Sequence, residues 1–141
     1  GHQAGRGKDA ATRENYQKAG VDAWVVEFID DMAEAYAWAD LVVCRSGALT
    51  VSERAAAGVA ALLVPYPHAD DDHQTANGNY LAKADAAILI QQRDLDPDWL
   101  ASELRALDRD KLTRMAVTAR SLAKPDATGR FADICEEVLA L

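Results

Sequence analysis

Cysteine is scarce in this sequence: 141 residues contain only Cys44 and Cys135, which stand far apart. Two isolated cysteines fit neither a disulfide framework nor the paired spacing of a zinc site, so we interpret both as buried thiols in a reducing compartment. Long apolar runs are missing too, because the longest, residues 59–67, is far shorter than a membrane-spanning helix. The polar N-terminus does not resemble a signal peptide.

Positive charge is also in short supply. Fifteen Lys and Arg face 23 Asp and Glu, which gives a net charge of −8. This balance argues against a nucleic-acid-binding face and against a general attraction to anionic lipid. Half of the residues are apolar and 27% are charged, as in globular proteins. The length suits one core, so we predict a single domain over residues 1–141.

The most informative stretch is residues 40–58, DLVVCRSGALTVSERAAAG. Residues 41–44 predict a strand buried on both faces, because they are apolar and rich in β-branched side chains. Gly47 has no Cβ, so the chain can turn tightly there and let a ligand come close. A helix should run from Ala48 and end at Gly58. Such strand–glycine–helix units bind ligands at the carboxyl end of the strand, where free helical N–H groups attract negative charge.

Two side chains early in this helix have two interpretations. Glu53 can accept hydrogen bonds from a pair of ribose hydroxyls, and the Thr50 hydroxyl can donate or accept. Alternatively, Thr50 and Glu53 form a capping box that only serves the helix N-terminus. The residue pattern alone leaves both interpretations open.

Strands alternate with helices along the rest of the chain, which predicts an α/β fold with a Rossmann-like parallel sheet and helices on both faces. Residues 2–8 indicate the exit from a further strand. The other predicted strands are residues 23–28, 41–44, 61–64 and 86–90. The predicted helices are residues 9–19, one capped by Asp30 or Asp31, 48–58, one continuing through Leu81, 96–107 with Pro97 at its first turn, 108–123 and 128–141. Helical spacing predicts core positions at Met32, Ala35, Tyr36 and Ala39.

The loops after these strands should converge on one edge of the sheet. Within the loop at residues 68–77, Gln74 and Asn77 are three apart at a helix start and suit neutral hydroxyls such as those of a sugar. Phe28 and Ile29, at the end of an earlier strand, either flank a flat base or belong to the core.

Three further interpretations of residues 68–73 remain open. His68 and His73 with a carboxylate could bind a divalent metal, although their spacing matches no standard zinc pattern. A His–Asp acid–base pair is possible, but no recognised nucleophile elbow accompanies it. Asp70, Asp71 and Asp72 also fit a solvated acidic N-cap.

Four segments make a specific resemblance: residues 2–5, 27–53, 64–77 and 122–128. They closely resemble the MurG family, the bacterial N-acetylglucosaminyltransferases that convert lipid I to lipid II in peptidoglycan biosynthesis. The likeness covers nearly the whole chain, but only the C-terminal, donor-binding half of a two-domain GT-B enzyme. It implies that UDP-N-acetylglucosamine binds in the cleft between two Rossmann-like domains.

The resemblance also implies which residues bind this donor. The Ile29 backbone, with Phe28 beside it, reads the uracil, and Glu53 holds the ribose hydroxyls. The helix N-terminus faces the diphosphate and sugar, and side chains of the later helix contact the sugar hydroxyls. The implied substrate-binding residues are Phe28, Ile29, Ser46, Gly47, Ala48, Leu49, Thr50, Glu53, His73, Gln74 and Asn77.

The family's first strand and helix of this domain, with a glycine-rich diphosphate turn, are absent from the sequence. So is its N-terminal acceptor domain, which carries the proposed general base and the membrane-docking face. The resemblance therefore implies no catalytic residue, metal or cofactor here, and we expect the chain alone to be soluble and inactive. The intact enzyme would be peripheral on the cytoplasmic face of the inner membrane, with roles in cell shape and division.

The absent strand would lie at the sheet centre. Its loss favours a homo-oligomer or a companion chain that completes the sheet. Two alternative functions remain: a non-catalytic nucleotide-sugar-binding or interaction module, and another GT-B enzyme that uses a UDP-sugar, such as an epimerase.

Overall fold

A computed structural model of the chain describes residues 1–67, 72–126 and 136. It confirms the α/β class, since strands and helices alternate and every strand pairing is parallel. The strands are β1 (His2–Gln3), β2 (Val25–Val26), β3 (Leu41–Cys44), β4 (Ala60–Leu63) and β5 (Ala87–Leu89). The helices are α1 (Asp9–Lys18), α2 (Met32–Trp38), α3 (Ala48–Ala57), α4 (His73–Ala82), α5 (Pro97–Ala106) and α6 (Arg109–Ser121). The helix predicted at residues 128–141 and Cys135 lie outside the described residues.

The chain divides into two compact units, of which the first is Gly1–Ala35. Here β1 pairs in parallel with β2, and backbone bonds from Ala4 to Val26 and from Gly5 to Glu27 continue the pairing. The strand predicted at residues 23–28 pairs as a strand only at Val25–Val26, because its partner β1 is also two residues long. Residues 2–8 leave a strand, as the sequence predicts.

Helix α2 begins at a side-chain cap. The Asp31 Oδ1 atom accepts a hydrogen bond of 2.8 Å from the Glu34 backbone N–H, which confirms one of the two predicted caps. Of the four positions predicted to face the core, only Tyr36 is buried, and the other three are half-buried.

The second unit, Tyr36–Leu141, contains a three-stranded sheet in the order β3-β4-β5. The central strand β4 is buried at all four residues: it pairs with β3 and β5, and α6 packs against it. The prediction that residues 41–44 are buried on both faces is wrong: β3 lies at an edge of this sheet, and Val43 is 50% exposed.

The hydrophobic core of this unit lies where α3, α4 and α6 pack against the sheet. Its buried members are Val51, Ala55, Ala61, Leu63, Leu81, Ala86, Ala87 and Ala119. Five of these residues lie in α3, β4 and α4: Val51, Ala55, Ala61, Leu63 and Leu81. Burial of apolar surface at roughly 25 cal/mol per Å² therefore holds α3 and α4 against the sheet.

Two helix boundaries in this unit carry the predicted signals, Gly58 and Pro97, and two aspartates add side-chain caps. Gly58 ends α3 with φ +65°, a conformation that costs glycine nothing. The carboxylates of Asp96 and Asp108 cap α5 and α6 by accepting backbone hydrogen bonds, and Pro97 occupies the first turn of α5. Along the described part of the chain, no helix is both long and apolar enough to cross a bilayer.

A close approach between α4 and the sheet explains Gly78. A Cβ at this position would lie 2.5 Å from Leu89 Cδ1 and 3.2 Å from the Cβ of fully buried Ser46. Overpacking of this kind costs about 1–3 kcal/mol, of which Ala in a helix interior regains about 0.5–1 kcal/mol, so Gly78→Ala should lower the free energy of unfolding by a net of up to about 2 kcal/mol in urea titrations.

Gly47→Ala is the matched control for this experiment. A Cβ at Gly47 would meet nothing nearer than Thr50 Oγ1 at 3.9 Å, so the expected loss of stability is only the modest cost of Ala at a helix N-cap, about 1 kcal/mol. Equal stability of Gly78→Ala and the unchanged chain would contradict the close approach.

Candidate functional site

Hydrogen bonds from one side chain connect the carboxyl ends of β3 and β4. Arg45 Nη1 donates to the carbonyl oxygens of Val64 and Pro65, at 3.3 and 3.2 Å. The Arg45 guanidinium also lies 5.4 Å from the centre of the Tyr66 ring. The loops that leave these two strands are therefore held next to each other, as the convergence of parallel strand ends predicts.

The N-terminus of α3 opens to solvent beside this junction. The first helical hydrogen bond runs from Val51 N–H to the Gly47 carbonyl, so the N–H groups of Ala48, Leu49 and Thr50 have no acceptor within the helix. The N-cap residue, Gly47, has no side chain that could cap the helix, and Leu49 is 80% exposed. The arrangement is an accessible row of backbone donors with the positive end of the helix dipole behind it.

Gly47 contributes open space rather than an unusual backbone. Its φ of −60° is available to any residue, so the tight turn that the sequence suggested does not itself require glycine. Because so little surrounds its missing Cβ, a ligand can approach the helix end closely.

Glu53 is exposed on the second turn of α3, and its Oε2 accepts a hydrogen bond of 3.1 Å from the Tyr36 hydroxyl. The alternative capping box at Thr50 and Glu53 is wrong, because α3 begins at Ala48 with Gly47 as its N-cap. One carboxylate oxygen of Glu53 is therefore committed to Tyr36, and Oε1 is the oxygen that can accept from a ligand.

Tyr36, the hydrogen-bond partner of Glu53, was predicted from the sequence only as a core residue. It is 9% exposed, and the Arg54 guanidinium lies 4.0 Å from its ring centre. Burial raises the pKa of Tyr36, the hydrogen bond and charge of Arg54 oppose this shift, and those of Glu53 add to it. The helical spacing predicted burial of this ring, but a periodicity carries no information about what its hydroxyl meets.

Three hydrogen bonds attach the first turn of α4 to its surroundings. Ser46 Oγ donates to the Gln74 carbonyl at 2.7 Å, the Tyr66 N–H donates to Gln74 Oε1 at 2.9 Å, and Gln91 Nε2 donates to Thr75 Oγ1 at 3.0 Å. Ser46 was expected to contact a ligand, but it is fully buried and its hydroxyl is directed at α4. This turn is thereby fixed to the ends of β3 and β4.

The predicted sugar-binding side chains share α4. Gln74 uses Oε1 for Tyr66, so its Nε2 is the part of the amide that can donate to a ligand. Asn77 follows three residues later and lies on the same side of the helix, and both are half-buried. His73 begins the helix and is exposed.

The acidic loop is only partly described. Asp72 occupies the N-cap position of α4 with φ +53°, but its side chain makes no capping hydrogen bond. Residues 68–71 lie outside the described residues, so the metal and acid–base hypotheses that involve His68, Asp70 and Asp71 stay predictions. Within the described ranges, no group of three or more His, Cys, Asp or Glu side chains could hold a metal ion.

In the first unit, the loops after β1 and β2 meet. The Ile29 N–H donates to Gln3 Oε1 at 2.9 Å, and the Gly7 N–H donates to Glu27 Oε1. Phe28 is 65% exposed, so its interpretation as a core residue is wrong. Its flat ring is available to a partner, and Gln3 is a contact of Ile29 that the sequence did not reveal.

Comparison with known proteins identifies the family. The model of the glycosyltransferase family 28 C-terminal domain matches residues 1–138. A curated relative from Burkholderia mallei (strain SAVP1) is 57% identical over 141 residues, covering 97% of this chain and 38% of the relative. It is named UDP-N-acetylglucosamine--N-acetylmuramyl-(pentapeptide) pyrophosphoryl-undecaprenol N-acetylglucosamine transferase. A relative of the same name from Cupriavidus pinatubonensis is 56% identical over 137 residues, with the same coverage.

A solved structure agrees. The crystal structure of Acinetobacter baumannii MurG is similar with a TM-score of 0.92 and 46% identity, over 96% of this chain and 42% of that one. The chain belongs to the glycosyltransferase family 28 C-terminal domain family, and its fold matches the C-terminal domain of a GT-B enzyme. It spans less than half the length of the relatives it matches.

The raised pKa of Tyr36 predicts a pH dependence of stability. Because the folded state favours the protonated phenol, this contribution is complete below the ordinary pKa of 10.0 and is lost as the pH rises through the higher pKa of the folded state. The difference in unfolding free energy between the unchanged chain and Tyr36→Phe should thus be constant below about pH 10 and shift against the unchanged chain above it. Urea titrations at a series of pH values measure this difference, and one that does not change up to about pH 12 would contradict the prediction.

Proposed function

We propose that this chain is the donor-binding domain of an inverting glycosyltransferase that transfers N-acetylglucosamine from UDP-N-acetylglucosamine to lipid I, forming lipid II in peptidoglycan biosynthesis. The observation that carries the proposal is the open N-terminus of α3 with the exposed Glu53 carboxylate one turn further along the helix. A nucleoside diphosphate has a negatively charged diphosphate followed by a neutral diol. The names of the relatives agree with this assignment.

The diphosphate is assigned to the first turn of α3. Three backbone N–H groups there lack helical acceptors, and the helix dipole is equivalent to roughly half a positive charge at this end. Negative charge grows on the diphosphate as the bond to the anomeric carbon breaks. Donors that are already oriented towards it stabilise the transition state more than the ground state, which lowers the barrier.

The ribose is assigned to Glu53, whose Oε1 can accept from a hydroxyl while Tyr36 holds Oε2. In the first unit, the uracil is assigned to Ile29 and Phe28, as the sequence resemblance implies: the exposed Phe28 ring offers an apolar face, and the Ile29 N–H donates to Gln3 Oε1. Gln3 orients the Ile29 peptide.

The transferred sugar is assigned to the first turns of α4. Gln74 Nε2 can donate to a sugar oxygen because its Oε1 is held by the Tyr66 N–H. Asn77 and His73 provide further polar contacts on the same helix. Three hydrogen bonds hold this turn, so the sugar meets donors that do not have to reorganise.

In the proposed reaction, the C4 hydroxyl of the muramyl sugar attacks the anomeric carbon of the donor sugar. The bond between that carbon and the diphosphate oxygen breaks at the same time. UDP leaves, the configuration inverts, and the hydroxyl proton passes to a general base. We assign three features to the region of the relatives that this chain does not cover: the general base, the acceptor site and the peripheral contact with the cytoplasmic face of the membrane. Residues 1–141 would then act as one donor-binding domain without turnover of their own.

Substitution of Glu53 tests the donor site. Glu53→Gln keeps the shape but loses the charge that strengthens a ribose hydrogen bond, so the affinity for UDP should fall by about tenfold or more. Isothermal titration calorimetry of the chain with UDP and with UDP-N-acetylglucosamine measures this change.

Glu103→Gln on α5 is the matched control and should leave the affinity unchanged. If the unchanged chain bound neither ligand, or if both variants bound alike, the donor-site proposal would be wrong. Turnover of a lipid I analogue by the chain alone would refute the division of labour between donor and acceptor parts.

We also propose that copies of this chain associate through the second unit. Strand β3 is an edge of the three-stranded sheet and exposes Val43, and unpaired edges with apolar side chains favour pairing with another chain. Light scattering after size exclusion should give the mass of a dimer or a larger oligomer. A monomer at every concentration would contradict self-association, and Val43→Lys should shift an oligomer towards monomer.

A further inference from the structure

We infer that Tyr36 is a positioning residue for Glu53 and makes nucleotide recognition depend on the ribose hydroxyls. This inference rests on the proposed donor site and adds a residue to it. It concerns one hydrogen bond between α2 and α3, from the Tyr36 hydroxyl to Glu53 Oε2.

The reason Glu53 needs a partner is its exposure. A solvent-exposed glutamate samples many rotamers, and fixing one of them costs side-chain entropy. If this entropy cost were incurred during binding, it would lower the affinity for the ribose. The 3.1 Å bond from Tyr36 orders the carboxylate beforehand and leaves Oε1 as the acceptor.

Tyr36 can serve this purpose because it is itself held. The ring is buried, and the Arg54 guanidinium packs 4.0 Å from its centre. Arg54 is 4% exposed, and its Nε and Nη1 atoms have no hydrogen-bond partner among the described residues. The interactions that the structure gives this buried cation are with the ring and hydroxyl of Tyr36, so Arg54 holds the ring in place while the hydroxyl donates to Glu53.

The consequence is a selective effect of losing the hydroxyl. Tyr36→Phe keeps the ring against Arg54 but removes the hydroxyl, which ends its hydrogen bonds with Arg54 and Glu53 and frees the Glu53 carboxylate. The affinity for UDP should fall by about threefold to tenfold, the value of one neutral-donor hydrogen bond. The affinity for 2′,3′-dideoxyuridine diphosphate, which has no ribose hydroxyl for Glu53 to hold, should not change.

The experiment is a double-mutant cycle. Isothermal titration of the 141-residue chain with both nucleotides is carried out for the unchanged protein, Tyr36→Phe, Glu53→Gln and the double variant. The double variant should bind UDP no more weakly than Glu53→Gln alone, because Tyr36 acts through Glu53. Tyr80→Phe, which also loses a hydroxyl bonded within this unit, is the matched control and should bind both nucleotides normally.

Two outcomes separate this inference from the proposed function. If Glu53→Gln weakens UDP binding and Tyr36→Phe does not, or if Tyr36→Phe weakens both nucleotides equally, Tyr36 does not position Glu53 although the donor site stands. If the unchanged chain binds no UDP, the donor site and this inference both fail.

A measurement without ligand keeps the inference testable if Tyr36→Phe does not fold. In the unchanged chain, NMR order parameters should be higher for the Glu53 side chain than for that of Glu34, an exposed glutamate on α2. Equal order parameters would overturn the inference.

Discussion

The buried hydrogen bond from Ser46 to the Gln74 carbonyl is the interaction on which the candidate site depends. It joins the end of β3, just before the N-terminus of α3, to the first turn of α4. A buried hydroxyl left without a partner would cost about 1–3 kcal/mol, so the two helix starts are coupled. Gly78 permits this closeness, since a Cβ there would lie only 3.2 Å from the Cβ of Ser46 and 2.5 Å from Leu89 Cδ1.

The two helices divide the work of recognition. Helix α3 presents charge complementarity through its open amides and then a carboxylate, which together suit a diphosphate followed by a diol. Helix α4 presents oriented amide groups that suit neutral hydroxyls. Both helices pack on the buried strand β4 through the shared core. The sheet therefore sets the distance between the charge-recognising groups of α3 and the amide groups of α4.

Some polar groups are ordered at a cost in stability. Arg54 buries a cation with two nitrogen atoms that have no hydrogen-bond partner in the described part of the chain. Such groups destabilise a fold unless something compensates them, and here the compensation comes from the Tyr36 ring and hydroxyl. The same contact immobilises Tyr36, which in turn holds Glu53. The unfavourable burial of Arg54 therefore also orders the Glu53 carboxylate.

Local patterns in the sequence determined the alternation of strands and helices, the glycine that ends α3, the carboxylate caps of α2, α5 and α6, and the candidate residues on α3 and α4. These follow from backbone sterics and short-range hydrogen bonds, which adjacent residues decide. Only the tertiary structure decided that Ser46 holds α4, that Val43 is exposed and that Tyr36 meets Glu53. Those outcomes depend on which residues distant in sequence meet, and side-chain periodicity specifies a buried face without specifying the partner across it.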